Sequence, residues 1–186
     1  DTYRDGGYRY NYSQVMKTLA PCTNDTKGAF SSQVDAIQPA GATNAAAGLE
    51  LAEGQTSGRS DVKKIVIFFT DGKPTTQSAF DPGVASSAVG SAKRMKDAGA
   101  AVYSIGIFQG ADPAKYPDPQ RVYDENNFMH AVSSNYPSAT YSEKTSWWSS
   151  EYEWSFGDRA KGSDGKDAAF YKSATNADEL KHVFDD

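Results

Sequence analysis

Cysteine is almost absent from this chain. Its 186 residues include one, Cys22, so no disulfide can close within the chain and no cysteine-based metal site can be built. A lone Cys is most often a small buried hydrophobe. Histidine is nearly as scarce: His130 and His182 lie far apart and make no His-x-x-x-His pair. Long apolar runs are missing too. The longest has five residues, against the roughly 20 that a membrane helix needs. Charge of one sign is not concentrated: 19 Lys and Arg against 24 Asp and Glu give a net charge of −5. Without a basic cluster, neither nucleic acid nor a membrane surface is an expected partner. No signal peptide is visible at the polar opening Asp1-Thr2-Tyr3-Arg4-Asp5, and no repeat or low-complexity tract follows. Tyr, Trp, Ser, Asn and Gly are plentiful, a composition common in secreted surface domains. The length suits a single domain over residues 1–186 with a substantial core.

The run Ile65-Val66-Ile67-Phe68-Phe69 organises what is present. It is mostly β-branched or aromatic, follows Lys63 and Lys64, and stops at Thr70-Asp71-Gly72. Such a run predicts a strand buried on both faces, in a parallel sheet covered by helices. Ligands of open α/β sheets sit outside the carboxyl ends of the strands. Asp71 is placed there, either to meet a cation or merely to shape a turn or cap a helix.

Around this strand the elements alternate. Tyr8, Tyr10 and Tyr12 alternate with polar residues, suggesting a half-exposed strand after a turn at Asp5-Gly6-Gly7. Phe30, Val34 and Ile37 fall on one stripe of a helix over 26–38, ended by Pro39. Ala45 to Ala52 is a strong helix former that Thr43 or Asn44 can cap. Val84, Ala88, Ala92 and Met95 mark a helix over 84–98, with Lys93, Arg94 and Lys96 at its end and Gly99 as cap. Ala100 to Phe108 is a second buried strand, which completes a βαβ unit. A short helix over 126–133 follows a loop rich in Pro and Asp. Residues 135–167 read as a long, irregular, aromatic-rich insertion. A short strand over 168–172 and a helix with Leu180, Val183 and Phe184 on one face close the chain. The sum is an α/β fold, Rossmann-like and doubly wound, with a mostly parallel sheet flanked by helices.

On this topology Thr43 and Asp71 both lie at the carboxyl edge of the sheet. Hydroxyl and carboxylate oxygens suit a hard cation, Mg2+ or Mn2+. A cation held by few carboxylates still attracts one from a partner, so the design serves binding as readily as catalysis. The catalytic alternative is a Mg2+-dependent phosphoryl-transfer enzyme with Asp71 on the metal. Against it, no Gly-x-x-x-x-Gly-Lys-Ser/Thr loop exists, Lys73 precedes Pro74, and His130 has no evident partner.

The residues resemble a family. Gly41-Ala42-Thr43-Asn44 is similar to the Gly-Gly-Thr-Asn segment of von Willebrand factor A domains. Ile65 to Gly72 resembles their strand 4 with its metal-binding Asp, and Val102 to Ile107 their strand 5. Phe170-Tyr171-Lys172 with Asn176 to Leu180 is similar to their last strand and helix. Segments such as Ser133-Ser134-Asn135-Tyr136-Pro137 resemble domains of Gram-positive surface and pilus adhesins. The resemblance implies a metal-ion-dependent adhesion site in which Thr43 and Asp71 are ligands of Mg2+ or Mn2+. Gly72, Lys73, Thr75 and Asp112 would rim it. It implies a protein ligand that offers a carboxylate, from extracellular matrix or a host surface, and a place outside the cell, in a Gram-positive wall or pilus. It implies no enzyme activity. The family's first motif, Asp-x-Ser-x-Ser, is absent, so strand 1, helix 1 and most of strand 2 are expected to be lacking. The site is therefore expected to be partial, and a structural domain with a vestigial site is a further alternative. The aromatic segment is expected to start and finish on the far side of the sheet. There Trp147, Trp148 and Trp154 either form a second binding surface or pack an inserted subdomain.

Overall fold

A computed structural model describes residues 2–5, 7–38, 40–58 and 60–183. Asp1 of the opening segment, Gly6 of the predicted turn, Pro39 as helix stop and Phe184 of the last helix lie outside them. The chain opens with an antiparallel hairpin, β1 (Thr2–Asp5) and β2 (Tyr8–Asn11). Helix α1 (Asn24–Asp35) starts at a capping box. Thr23 Oγ1 accepts from Thr26 N–H at 3.2 Å, and Thr26 Oγ1 accepts from Thr23 N–H at 2.8 Å. The predicted stripe does not enter the core: Phe30 and Val34 of α1, and Ile37 just beyond its end, are each about half exposed. Helix α2 (Ala45–Thr56) runs longer than its alanine-rich start suggests and buries Ala45 and Leu49.

A parallel βαβ unit follows, made of β3 (Ile65–Thr70), α3 (Pro82–Asp97) and β4 (Ala101–Gly106). The two strands pair from Ile65↔Ala101 to Thr70↔Gly106. Asp81 caps α3 by accepting from Val84 N–H at 3.1 Å, with Pro82 in the first turn, where a missing N–H costs nothing. Helix α4 (Glu125–Val132), the antiparallel hairpin β5 (Thr140–Thr145) and β6 (Ser150–Ser155), β7 (Tyr171–Ser173) and α5 (Ala177–His182) complete the chain. The main sheet has the order β3-β4-β7 and is parallel throughout, the helix-flanked sheet that the sequence predicts.

One face of this sheet holds the core. Val66, Val102 and Ser104 lie against α3 and α4, and Phe68 meets Phe128 edge-on at 6.0 Å. Ala85, Ala88 and Ala92 on α3 are fully buried, which lets α2 approach closely. Across that contact Arg94 grips Glu53 with two bonds of 2.7 and 2.8 Å. Burial of each large side chain contributes about 1.5–3 kcal/mol, so this face dominates the stability.

The other face corrects the expectation that β3 is buried on both sides. Ile65, Ile67 and Phe69 are 56%, 46% and 45% exposed, in strict alternation with the buried Val66 and Thr70. On this side the segment before β7 and the end of α5 cover only part of the sheet. They leave a cleft of about 500 Å³ lined by Ile65, Ile67, Tyr103, Ile105, Phe170 and Val183. Among the described residues β3 pairs with β4 alone, so its other edge is open. Cys22, expected to be buried, is exposed.

Residues 135–167 are not irregular. Their centre is the β5–β6 hairpin, whose aromatic face packs on α3 and on the loop after β4. Trp154 stacks on Tyr141 at 3.8 Å and is 4% exposed, so it is a core residue and no part of a binding surface. The segment starts and finishes on the far side of the sheet as expected, with Ser134 N–H donating to Val102 O at 2.8 Å near the start of β4 and Ala160 N–H to Asn135 O at 2.8 Å, but its hairpin reaches across to the opposite end. Tyr141 packs against Phe80 before α3, and Tyr152 lies beside Gly83 at the start of α3. That is the carboxyl end of the sheet.

Candidate site at the carboxyl end of the sheet

The strand β3 delivers Asp71, and Thr70 shapes the turn that follows. Thr70 Oγ1 donates to Gly72 O at 2.7 Å and accepts from Gly72 N–H at 3.2 Å. The hydroxyl thus does the turn-forming work that an Asp side chain often does. Asp71 is left exposed, and among the described residues its carboxylate has no hydrogen bond or ion pair. It neither caps a helix nor closes the turn.

Thr43 comes to the same place by a different route. Gly41 adopts φ +83°, and a Cβ there would stand 2.7 Å from the Tyr10 ring, so only glycine fits between β2 and this turn. The chain then enters α2, with Asn44 Oδ1 accepting from Ala47 N–H at 3.2 Å. Thr43 O accepts from Thr75 N–H at 3.0 Å, which fastens the loop after β3 to the entrance of α2. A Cβ on Gly72 would meet Thr43 Oγ1 at 3.8 Å. The structure therefore brings Thr43, Asp71, Gly72 and Thr75 together.

Thr75 serves differently from a rim residue. It is 7% exposed, and its hydroxyl accepts from Gln77 N–H at 3.0 Å. Buried and engaged, it braces the loop. Lys73 is half-buried in a surface cleft with Phe80, Pro82, Tyr123 and Glu125. Asp112 is exposed in the loop after β4 and shapes its own turn, with Oδ1 accepting from Ala114 N–H at 3.0 Å.

How that loop is held is not foreseen by the sequence pattern. Three polar side chains of α4 staple it. Asn126 Oδ1 accepts from Asp112 N–H at 2.8 Å and from the Tyr171 hydroxyl at 2.7 Å, while its Nδ2 donates to Gly110 O at 2.8 Å. Asn127 Nδ2 donates to Asp118 O at 2.7 Å and its Oδ1 accepts from Asp118 N–H at 2.9 Å. His130 Nε2–H donates to Lys115 O at 2.8 Å, and its Nδ1 accepts from Asn135 Nδ2 at 3.2 Å. Burial pulls the His130 pKa down to about 4. A neutral, doubly bonded imidazole in the core is not a poised catalytic base. Burial also raises the Tyr171 phenol, which keeps it a hydrogen-bond donor. The available signal was the polar pair Asn126-Asn127 on a helix whose other side is apolar.

A divalent cation is implied by these donors in kind but not in number. Mg2+ takes six oxygens in near-octahedral geometry. Thr43 and Asp71 supply one hydroxyl and one carboxylate. Among the described residues no group of three or more His, Cys, Asp and Glu side chains could hold a metal ion. The two residues fit part of a coordination sphere, and further oxygens would have to join them.

Comparison with known proteins adds one finding. The family model described as von Willebrand factor type A domain matches residues 8–146, which contain Thr43, Asp71, Gly72, Lys73, Thr75 and Asp112. No curated protein and no solved structure matches the chain.

Proposed function

Because the chain belongs to the von Willebrand factor type A domain family, we propose that it binds a protein ligand through a metal ion held in part by Thr43 and Asp71. Domains of this family are in general protein-interaction modules rather than enzymes. None of the described helices is long and apolar enough to cross a membrane.

The proposed site is of the metal-ion-dependent adhesion type. Mg2+ or Mn2+ accepts a carboxylate from the ligand, an extracellular-matrix or host-surface protein, with Gly72, Lys73 and Asp112 around it. The proposed location is the wall or a pilus of a Gram-positive bacterium. One observation carries the reading: an unengaged carboxylate and a hydroxyl are fixed at one turn by the Thr75–Thr43 bond. A carboxylate left without a partner at the carboxyl end of a strand is available to a cation. The missing oxygens are assigned to another polypeptide segment, for which the open edge of β3 leaves room.

The test is Mn2+ titration, followed by calorimetry, of this chain joined to a segment carrying Asp-x-Ser-x-Ser. Asp71→Ala should weaken Mn2+ binding by more than about tenfold, the scale on which even outer-shell changes act. The circular dichroism spectrum should be unchanged, since Asp71 supports no other group. Equal Mn2+ affinity with and without the Asp71 carboxylate would refute the site and leave a structural domain.

A further inference from the structure

The β5–β6 hairpin ends in a feature that the metal site does not use. Trp147 and Trp148 occupy the middle of the turn between Ser146 and Ser149, and each is 89% exposed. The turn is closed without them. Ser146 N–H donates to Ser149 O at 2.7 Å, and Ser146 Oγ accepts from Ser149 N–H at 3.1 Å and from Trp148 N–H at 3.4 Å. The backbone donors of Ser146, Trp148 and Ser149 are thus engaged, so the tip offers rings rather than those N–H groups.

The two indoles stand 6.2 Å apart at 68°, an angled notch and not a flat platform. Below them the shaft is acidic. It carries Glu143, Glu151 and Glu153 against Lys144, and Lys144 is paired with Glu153. Glu143 accepts from the Ser150 hydroxyl. The foot is rigid. Tyr141 and Trp154 stack, and both donate to Val122 O, at 3.1 and 2.9 Å. The hairpin is therefore an anchored finger with an apolar, angled tip and a negative stem.

We propose that the Trp147–Trp148 tip docks a proline-rich segment in the polyproline II conformation, flanked by lysine or arginine. Proline rings are rigid and apolar and stack on indole faces. A polyproline II chain already holds the bound shape, so little conformational entropy is lost. Its prolines have no N–H to satisfy, which suits a surface that recognises by rings. Basic flanks find a stem with an excess of carboxylates, Glu143 on one face of the hairpin and Glu151 and Glu153 on the other with Lys144. The same carboxylates repel an anionic bilayer. This reading is independent of the metal site.

The test uses the intact chain and titrates a synthetic peptide of about eight prolines with arginine at both ends, reading tryptophan fluorescence. Trp154, being buried, reports on the fold. The expected result is a saturable change that is lost in the double variant Trp147→Ser, Trp148→Ser. It should weaken by at least about tenfold when glutamate replaces the flanking arginines. The near-ultraviolet circular dichroism of the Tyr141–Trp154 stack should persist in the variant. No saturable change overturns the proposal. So does an equal response to a Gly-Ser peptide with the same flanks, or a response that survives in the double variant. A spectral shift with phosphatidylcholine vesicles but not with the proline peptide also overturns it and assigns the tip to a bilayer interface.

Discussion

His130 has no exposed surface and two hydrogen bonds, and its burial makes it a pH-dependent support of the fold. Its pKa is about 4 in the folded chain, below the ordinary imidazole value of 6.5. Between those values the unfolded chain binds a proton that the folded chain refuses. The stabilisation is therefore complete above about pH 6.5 and is lost as pH falls toward about 4. The size is about 3 kcal/mol, at roughly 1.4 kcal/mol per unit. Urea unfolding from pH 7 to pH 4.5 should show this decline. His130→Gln should lower stability at pH 7 and flatten the slope across the same window; an unflattened slope would move the effect to other groups. At this scale the sequence was informative about Asp71, because a strand end fixes where a carboxylate goes. It was silent on Thr75 and Trp154, whose roles depend on which way a loop folds. Trp147, Trp148 and Trp154 look alike in sequence. Only the position of the turn separates two exposed rings from one in the core.

Helices report their own periodicity but not what they meet. The stripe Phe30, Val34, Ile37 is as regular as that of α3, yet α3 is buried and α1 is not. The amphipathic pattern was legible and its cover was not. The β5–β6 hairpin is hard to see in the sequence because Tyr152, Trp154 and Phe156 alternate with polar residues while Glu143 and Thr145 interrupt the same period on β5. The end of α3 has a use that macrodipole reasoning misses. Lys96 Nζ donates to Ala131 O at 2.6 Å, Ser133 O at 3.1 Å and Tyr136 O at 3.2 Å. It thereby closes the carboxyl end of α4 from a neighbouring helix. Burial and then the nearby Lys93 pull its pKa down to about 7, against an opposing pull from Asp97. Lys96→Met keeps the stem and strips these acceptors of their donor. It should cost about 2–3 kcal/mol in urea unfolding. A loss below about 0.5 kcal/mol, typical of surface positions, would mean that water replaces the ammonium.

At the scale of the whole molecule the fold is asymmetric. The β3–α3–β4 unit, its parallel pairing and the closing strand and helix followed from the alternation of apolar runs and helical stripes. The uneven cover of the sheet did not follow, because an apolar run tells how a strand would like to be housed and not whether the chain houses it. Ile65, Ile67 and Phe69 face outward along a strand with one open edge. Lys63 and Lys64 precede that strand, but no charge interrupts it. Natural sheets usually guard such an edge with an inward charge, a proline or a bulge. Without one, the strand is a template for copies of itself, and the chain in isolation should assemble into thioflavin-positive fibrils. Ile67→Lys places a gatekeeper charge at an exposed position. It should lengthen the lag phase several-fold while changing stability by no more than about 0.5 kcal/mol. An unchanged lag would assign fibril growth to another segment. The strand that ends at Asp71 is thus also a strand open to misassembly, and whatever covers its edge serves solubility first.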